Sequence, residues 1–226
     1  MINTTASDLS ECVINIQQPR PAGLTSTFQT TNPNTNAPTG SPDQPVSILA
    51  GAAQSFVLSF ASTDPLTEAA LPLLFACNGA VPAPSTAGVN TIDLLFSSTP
   101  IPDVIALAAT ATNDGTVHVA NGAGAFAVAT DNAGAAGTLT VSVDTGSATL
   151  PVSLSVCQTS SSGQCQSPPA ASISVDFAAG AVPTFSVFVG ATGSVPFSPG
   201  ASRVFVRFED SGGVSHGSTS VAVTTD

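Results

Sequence analysis

The groups with which this 226-residue chain could do bond-making or ligand chemistry are two His, fourteen Asp and Glu, four Cys and a large supply of hydroxyls. Acyl transfer by a triad needs a nucleophile beside a base that a carboxylate orients. Ser215-His216 sets a hydroxyl next to an imidazole, but adjacent residues on a strand point to opposite faces, so the pair cannot share that hydrogen bond. His216 is read as a solvated loop residue, and His118, in Gly115-Thr116-Val117-His118-Val119, as an outward strand residue. No G-x-S-x-G, H-E-x-x-H or phosphate-cradling glycine pattern occurs. No catalytic residue and no cofactor are expected, and the chain is not read as an enzyme.

Extracellular β-sandwiches hold calcium through loop Asp side chains and backbone carbonyls, which makes Asp103, Asp114 and Asp131 the calcium candidates. None belongs to a dense D-x-D run, and each suits the plainer role of turn former, so no metal site is expected. The cysteines are even in number, contain no C-x-x-C pair and have too few His for a repeated zinc site. They point to disulfides and an oxidising compartment.

Charge and aromatic content remove further classes. The cations are Arg20, Arg203 and Arg207, with no Lys, and the formal net charge is −11. Nucleic acid and anionic lipid surfaces would need a cationic cluster to displace counterions. The absence of Trp and Tyr removes the usual stacking platforms for sugars and bases, and a small-molecule ligand is not expected. No apolar run approaches the roughly 20 residues that span a bilayer, so membrane insertion is not expected. Residues 1–5 carry neither a basic nor an apolar leader pattern. The reading is an exported protein, extracellular or on the cell surface, whose signal is not in this chain.

The elements that position these residues are short alternating runs, such as Thr138-Leu139-Thr140-Val141-Ser142-Val143, separated by Gly, Pro, Asn and Asp. They predict strands and turns, with Asn113-Asp114-Gly115, Asp131-Asn132-Ala133-Gly134 and Asp144-Thr145-Gly146 as turns. Leu66 to Leu74, the one Ala/Leu/Glu-flavoured stretch, contains Pro72 and is too short for a helix.

A search for self-similarity places residues 28–60 on residues 157–189 without a gap. Gln29-Thr30 falls on Gln158-Thr159, Ala50-Gly51-Ala52 on Ala179-Gly180-Ala181, and Phe56 on Phe185. The chain is therefore read as two β modules, 1–98 and 104–226, joined by a Pro-containing linker at 97–103. Strands in the second are expected near 104–110, 124–130, 137–143, 150–157, 172–177, 183–189, 203–208 and 218–224. At the same offset the counterparts of 104–129 fall before Met1, so the first module is expected to begin about one strand short.

This strand count, with Cys12 and Cys77 near opposite ends of the first module and the closing Ser218-Thr219-Ser220-Val221-Ala222-Val223, resembles tandem immunoglobulin-like or fibronectin-III-like β-sandwich repeats of large secreted or surface-attached bacterial proteins. The resemblance implies an all-β fold of two tandem sandwiches, with Cys12 and Cys77 on the strands that immunoglobulin domains staple sheet to sheet. Of three connectivities, Cys12–Cys77 with Cys157–Cys165 keeps each bond inside one module. The resemblance also implies a non-enzymatic structural module of a bacterial surface assembly, a filament subunit or rigid repeat. Its partners would be copies of itself or adjacent repeats, joined by β-strand addition. The alternative is an adhesin-type module that recognises a protein or glycan through its loops.

Overall fold

The computed structural model describes residues 1–226, apart from the side chains of Glu68 and Ala69. β-branched and aromatic residues at alternate positions, cut short by Gly, Pro and Asn, leave no length for a helix to nucleate. Among the described residues every regular element is a strand, so the all-β expectation holds, with antiparallel sheets arranged as sandwiches.

The chain divides into two compact units, Met1–Phe96 and Ser97–Asp226. The first contains β1 (Leu9–Ile16), β2 (Leu24–Thr31), β3 (Val46–Ile48), β4 (Ser55–Ser62), β5 (Leu66–Asn78) and β6 (Thr91–Phe96). One sheet runs β3-β1-β5-β6, and β2 pairs with β4 in the other. The second unit contains β7 (Val104–Thr110), β8 (Thr116–His118), β9 (Ala123–Asn132), β10 (Gly137–Asp144), β11 (Val152–Thr159), β12 (Ser172–Phe177), β13 (Thr184–Ala191), β14 (Arg203–Glu209) and β15 (Ser215–Thr224). Its sheets run β12-β10-β14-β15-β8 and β11-β13-β9-β7.

The second unit is the better filled. β9 alternates cleanly, burying Phe126, Val128, Thr130 and Asn132 while the Ala residues between them face out. Phe177, Phe185 and Phe208 are almost fully buried, with ring centroids 5.7 to 6.2 Å apart. Each such ring removed from water contributes about 1.5–3 kcal/mol. In the first unit Ile16, Leu24, Leu71 and Leu73 are buried, but Leu58, Phe60, Leu94 and Phe96 are only partly so.

Several local expectations are corrected. Asp131 and Asn132 lie in β9 and not in a turn, because the Asn132 amide is fully buried and donates to the carbonyls of Ala135 and Ala178. Within the expected linker, residues 101–103 are hydrogen-bonded to the second unit. The Ile101 carbonyl accepts from Ala135 N–H and the Asp103 carbonyl from Ala133 N–H. Gly134 makes this approach possible, since a Cβ there would stand 2.3 Å from the Ile101 oxygen and 2.6 Å from the Asp103 nitrogen. Cys12 is bonded to Cys77 and Cys157 to Cys165. The first bond does not staple two sheets together: β1 and β5 are neighbours in one sheet, and the bond crosses between them where their register shifts.

Candidate functional site

His118 and His216 each face a carboxylate, in unlike settings. His118 Nε2 lies 2.9 Å from Asp114 Oδ2, with both side chains about half exposed at 45% and 44%. Thr112 Oγ1 and Thr116 N–H also donate to Asp114. The His118 hydrogen bond first, then these two, hold the Asp114 carboxyl well below the ordinary range. This is a capped turn leading into β8.

His216 is not the solvated loop residue that its neighbours suggest. It sits on β15 and is 5% exposed. Its Nδ1–H donates to the Pro102 carbonyl at 2.8 Å, and its Nε2 lies 3.2 Å from Asp210 Oδ2. Both ring nitrogens are thus spent on holding the 101–103 segment and the Asp210 turn, which leaves neither aimed at the Ser215 hydroxyl. Asp210 is held below the ordinary carboxylate value, chiefly by the Val214 N–H and then by His216.

The calcium candidates are not brought together. Asp131 pairs with Ile105 near the start of β7, beside Asp103, whereas Asp114 follows the far end of that strand. Seven residues of strand span roughly 23 Å, too far for one ion. Among the described residues no group of three or more His, Cys, Asp or Glu could hold a metal.

The feature with the clearest capacity to bind is the edge of β4 in the first unit. Its residues Phe56, Leu58 and Phe60 are partly exposed, whereas Phe185, Val187 and Val189, which stand 129 positions later on β13, are at most 1% exposed. β13 has β11 on one side and β9 on the other, with β7 beyond. β4 has β2 on one side only. Counterparts of β7 and β8 are missing from the first unit, and of β9 only the last residues have one. The Met1 ammonium donates to the Gln54 carbonyl at 2.7 Å, and the Gln54 N–H donates back to Met1. Burial keeps that ammonium's pKa below its ordinary value. Asn3 N–H then donates to Ala52, and Gly51 N–H to Asn3. The same bonds recur 129 residues on, from Thr130 N–H to Pro183, Asn132 N–H to Ala181 and Gly180 N–H to Asn132. Residues 1–3 therefore occupy the track of the last three residues of β9. The recurrence of Asn3 at Asn132 was visible in the sequence, but the residues around the two share too little to flag it.

Fold and edge together define an all-β sandwich protein with one closed unit and one open one. No family model matches the chain and no curated protein does. Among solved structures, the crystal structure of BcpA*(D312A), the major pilin subunit of Bacillus cereus, aligns over 95% of this chain and 69% of its own, at 7% identity and a TM-score of 0.36. At that level the likeness carries no functional inference.

Proposed function

We propose that the chain is a non-enzymatic structural module of an extracellular or cell-surface bacterial assembly, a filament subunit or rigid repeat, whose copies join by β-strand addition. The two units are copies of one module, and the observation that carries the reading is the open edge of β4 beside its closed counterpart β13. An uncovered, uncharged strand edge invites pairing. The chemistry of joining is narrowed by composition. The chain has no Lys and no free Cys, so side-chain amide links through Lys and disulfides between unpaired thiols are closed to it. The two disulfides fit an oxidising exterior.

Light scattering over a wide concentration range, with electron microscopy, tests this reading. Elongated assemblies that grow with concentration are expected, and a compact monomer throughout would overturn it.

One observation favours the adhesin-type alternative. A groove of about 510 Å³ in the first unit is lined by Asn15, Gln17, Gln18, Arg20 and Ser26 together with Ile16 and Leu74, a set whose amides and one cation suit a polar ligand. Protein and glycan arrays probed with the wild type and Arg20→Ala decide it, since an adhesin would show hits that the variant loses.

A further inference from the structure

The direction in which the backbone of β4 points can be worked out residue by residue. Phe28 on β2 donates its N–H to Asp43 Oδ1 at 2.9 Å, and its carbonyl accepts from Asp43 N–H. The Thr30 carbonyl likewise accepts from Thr39 N–H. The even-numbered residues of β2 thus turn their backbone groups away from β4. Antiparallel ladders alternate bonded and non-bonded pairs, and Phe28 stands opposite Leu58, Thr27 opposite Ser59 and Gln29 opposite Val57. The bonds between β2 and β4 therefore fall to Val57, Ser59 and Ala61. Phe56, Leu58 and Phe60 direct their N–H and C=O groups to the other edge, the edge on which Gln54 already exchanges two bonds with Met1.

The second unit shows what fits there. Along β13, Phe185 faces Val128, Val187 faces Phe126 and Val189 faces Gly124, with apolar side chains from both strands on the inner face. Transferred by 129 residues, that register continues without a break from the pairing of Met1 with Gln54.

We infer that the β4 edge of residues 1–226 accepts an extended polypeptide strand from a second chain. The strand runs antiparallel to β4 and presents uncharged, apolar residues at every second position against Phe56 and Leu58. This inference rests on the β-strand addition proposed above and adds the site, direction, register and chemistry of the incoming strand. The charge pattern agrees: Ser55–Ser62 carries no charged residue within a chain of net charge −11, so a neutral inner face is what this edge accepts without desolvating an ion. Pairing of two β4 edges about a two-fold axis at Leu58 would instead drive Ser62 of the second copy onto Gln54, whose N–H and C=O Met1 already holds.

The test uses the whole chain and a synthetic peptide of residues 123–129, Ala-Gly-Ala-Phe-Ala-Val-Ala, which ends where Met1 begins. A second peptide has Phe and Val each moved by one position, which sends them to the wrong face. A variant with residues 121–129 fused directly before Met1 supplies the strand in cis. The expected result is saturable binding of the first peptide and binding about tenfold or more weaker for the second. The fused variant should show no binding and a more stable first unit. Equal binding of both peptides, or none at millimolar concentration, overturns the inference, as does dimerisation through paired β4 edges. Peptide binding by a chain that never self-associates would keep this inference and remove the assembly reading. Self-association that the fused strand leaves intact would do the reverse.

Discussion

Replacing Phe185 and Phe56 by Ala, one at a time, compares the same position in a closed and an open sandwich. Phe185 is 1% exposed and meets two rings, Phe177 at 6.2 Å and Phe208 at 5.7 Å. Its removal forfeits the transfer energy of the ring and leaves a walled cavity, a loss of about 3–5 kcal/mol. Phe56 is partly exposed and meets one ring, Phe28, edge-on at 6.1 Å. Its site opens onto the bare edge, so water fills the space and the cavity cost largely disappears, leaving about 1–2 kcal/mol. Urea unfolding of the whole chain, followed by hydrogen exchange and mass spectrometry of fragments from 1–96 and 97–226, reads each unit separately. Equal losses would mean that Phe56 is as enclosed as Phe185 in solution, and the comparison between open and closed units would fail.

Reduction should harm the first unit more, because the Cys12–Cys77 bond spans 65 residues and Cys157–Cys165 only 8. Loop-closure entropy gives roughly 4 against 2.5 kcal/mol, checked by melting each unit with and without reductant. Because Asp210 titrates below its ordinary value of about 3.9, its contribution is complete above that pH and is lost as pH falls through the lower folded value. Asp210→Asn should therefore flatten part of the acid destabilisation of the second unit below about pH 4, with Asp114 supplying a separate part. His216→Ala strips a donor from the buried Pro102 carbonyl and should cost about 1–3 kcal/mol at neutral pH. Gly134→Ala should cost a similar amount by pushing the 101–103 segment off the sheet, visible as faster exchange at Asp103. Millimolar calcium should leave the melting temperature of either unit nearly unchanged, and a rise of several degrees would mean that Asp residues converge in solution.

The architecture was readable because hydrophobic alternation reports burial directly. The strands expected near 104–110, 137–143 and 172–177 match β7, β10 and β12 within a residue or so. His118 reads correctly as an outward strand residue, but Thr116–His118 is absent from the expected strands because it is too short to alternate and is held by parallel pairing to β15, a long-range contact with no local signature. His216 was misplaced because the flanking Gly and Ser residues speak for a loop, while its burial comes from Pro102, more than a hundred residues away. The sheet order that puts Cys12 and Cys77 on neighbouring strands is equally non-local. The offset of 129 did show that strands of the second module lack counterparts after Met1, but sheet order was needed to see that β4 is the edge they would cover.

Residue-resolved amide exchange along β4 tests the open edge most directly. The account predicts alternation, with Phe56, Leu58 and Phe60 amides exchanging fast while Val57, Ser59 and Ala61, bonded to β2, are protected. β13 should show no such alternation because it is paired on both sides. Addition of the 123–129 peptide should then slow Phe56, Leu58 and Phe60 selectively. Uniform protection along β4 in the free monomer, or no selective slowing at those three amides, would contradict it.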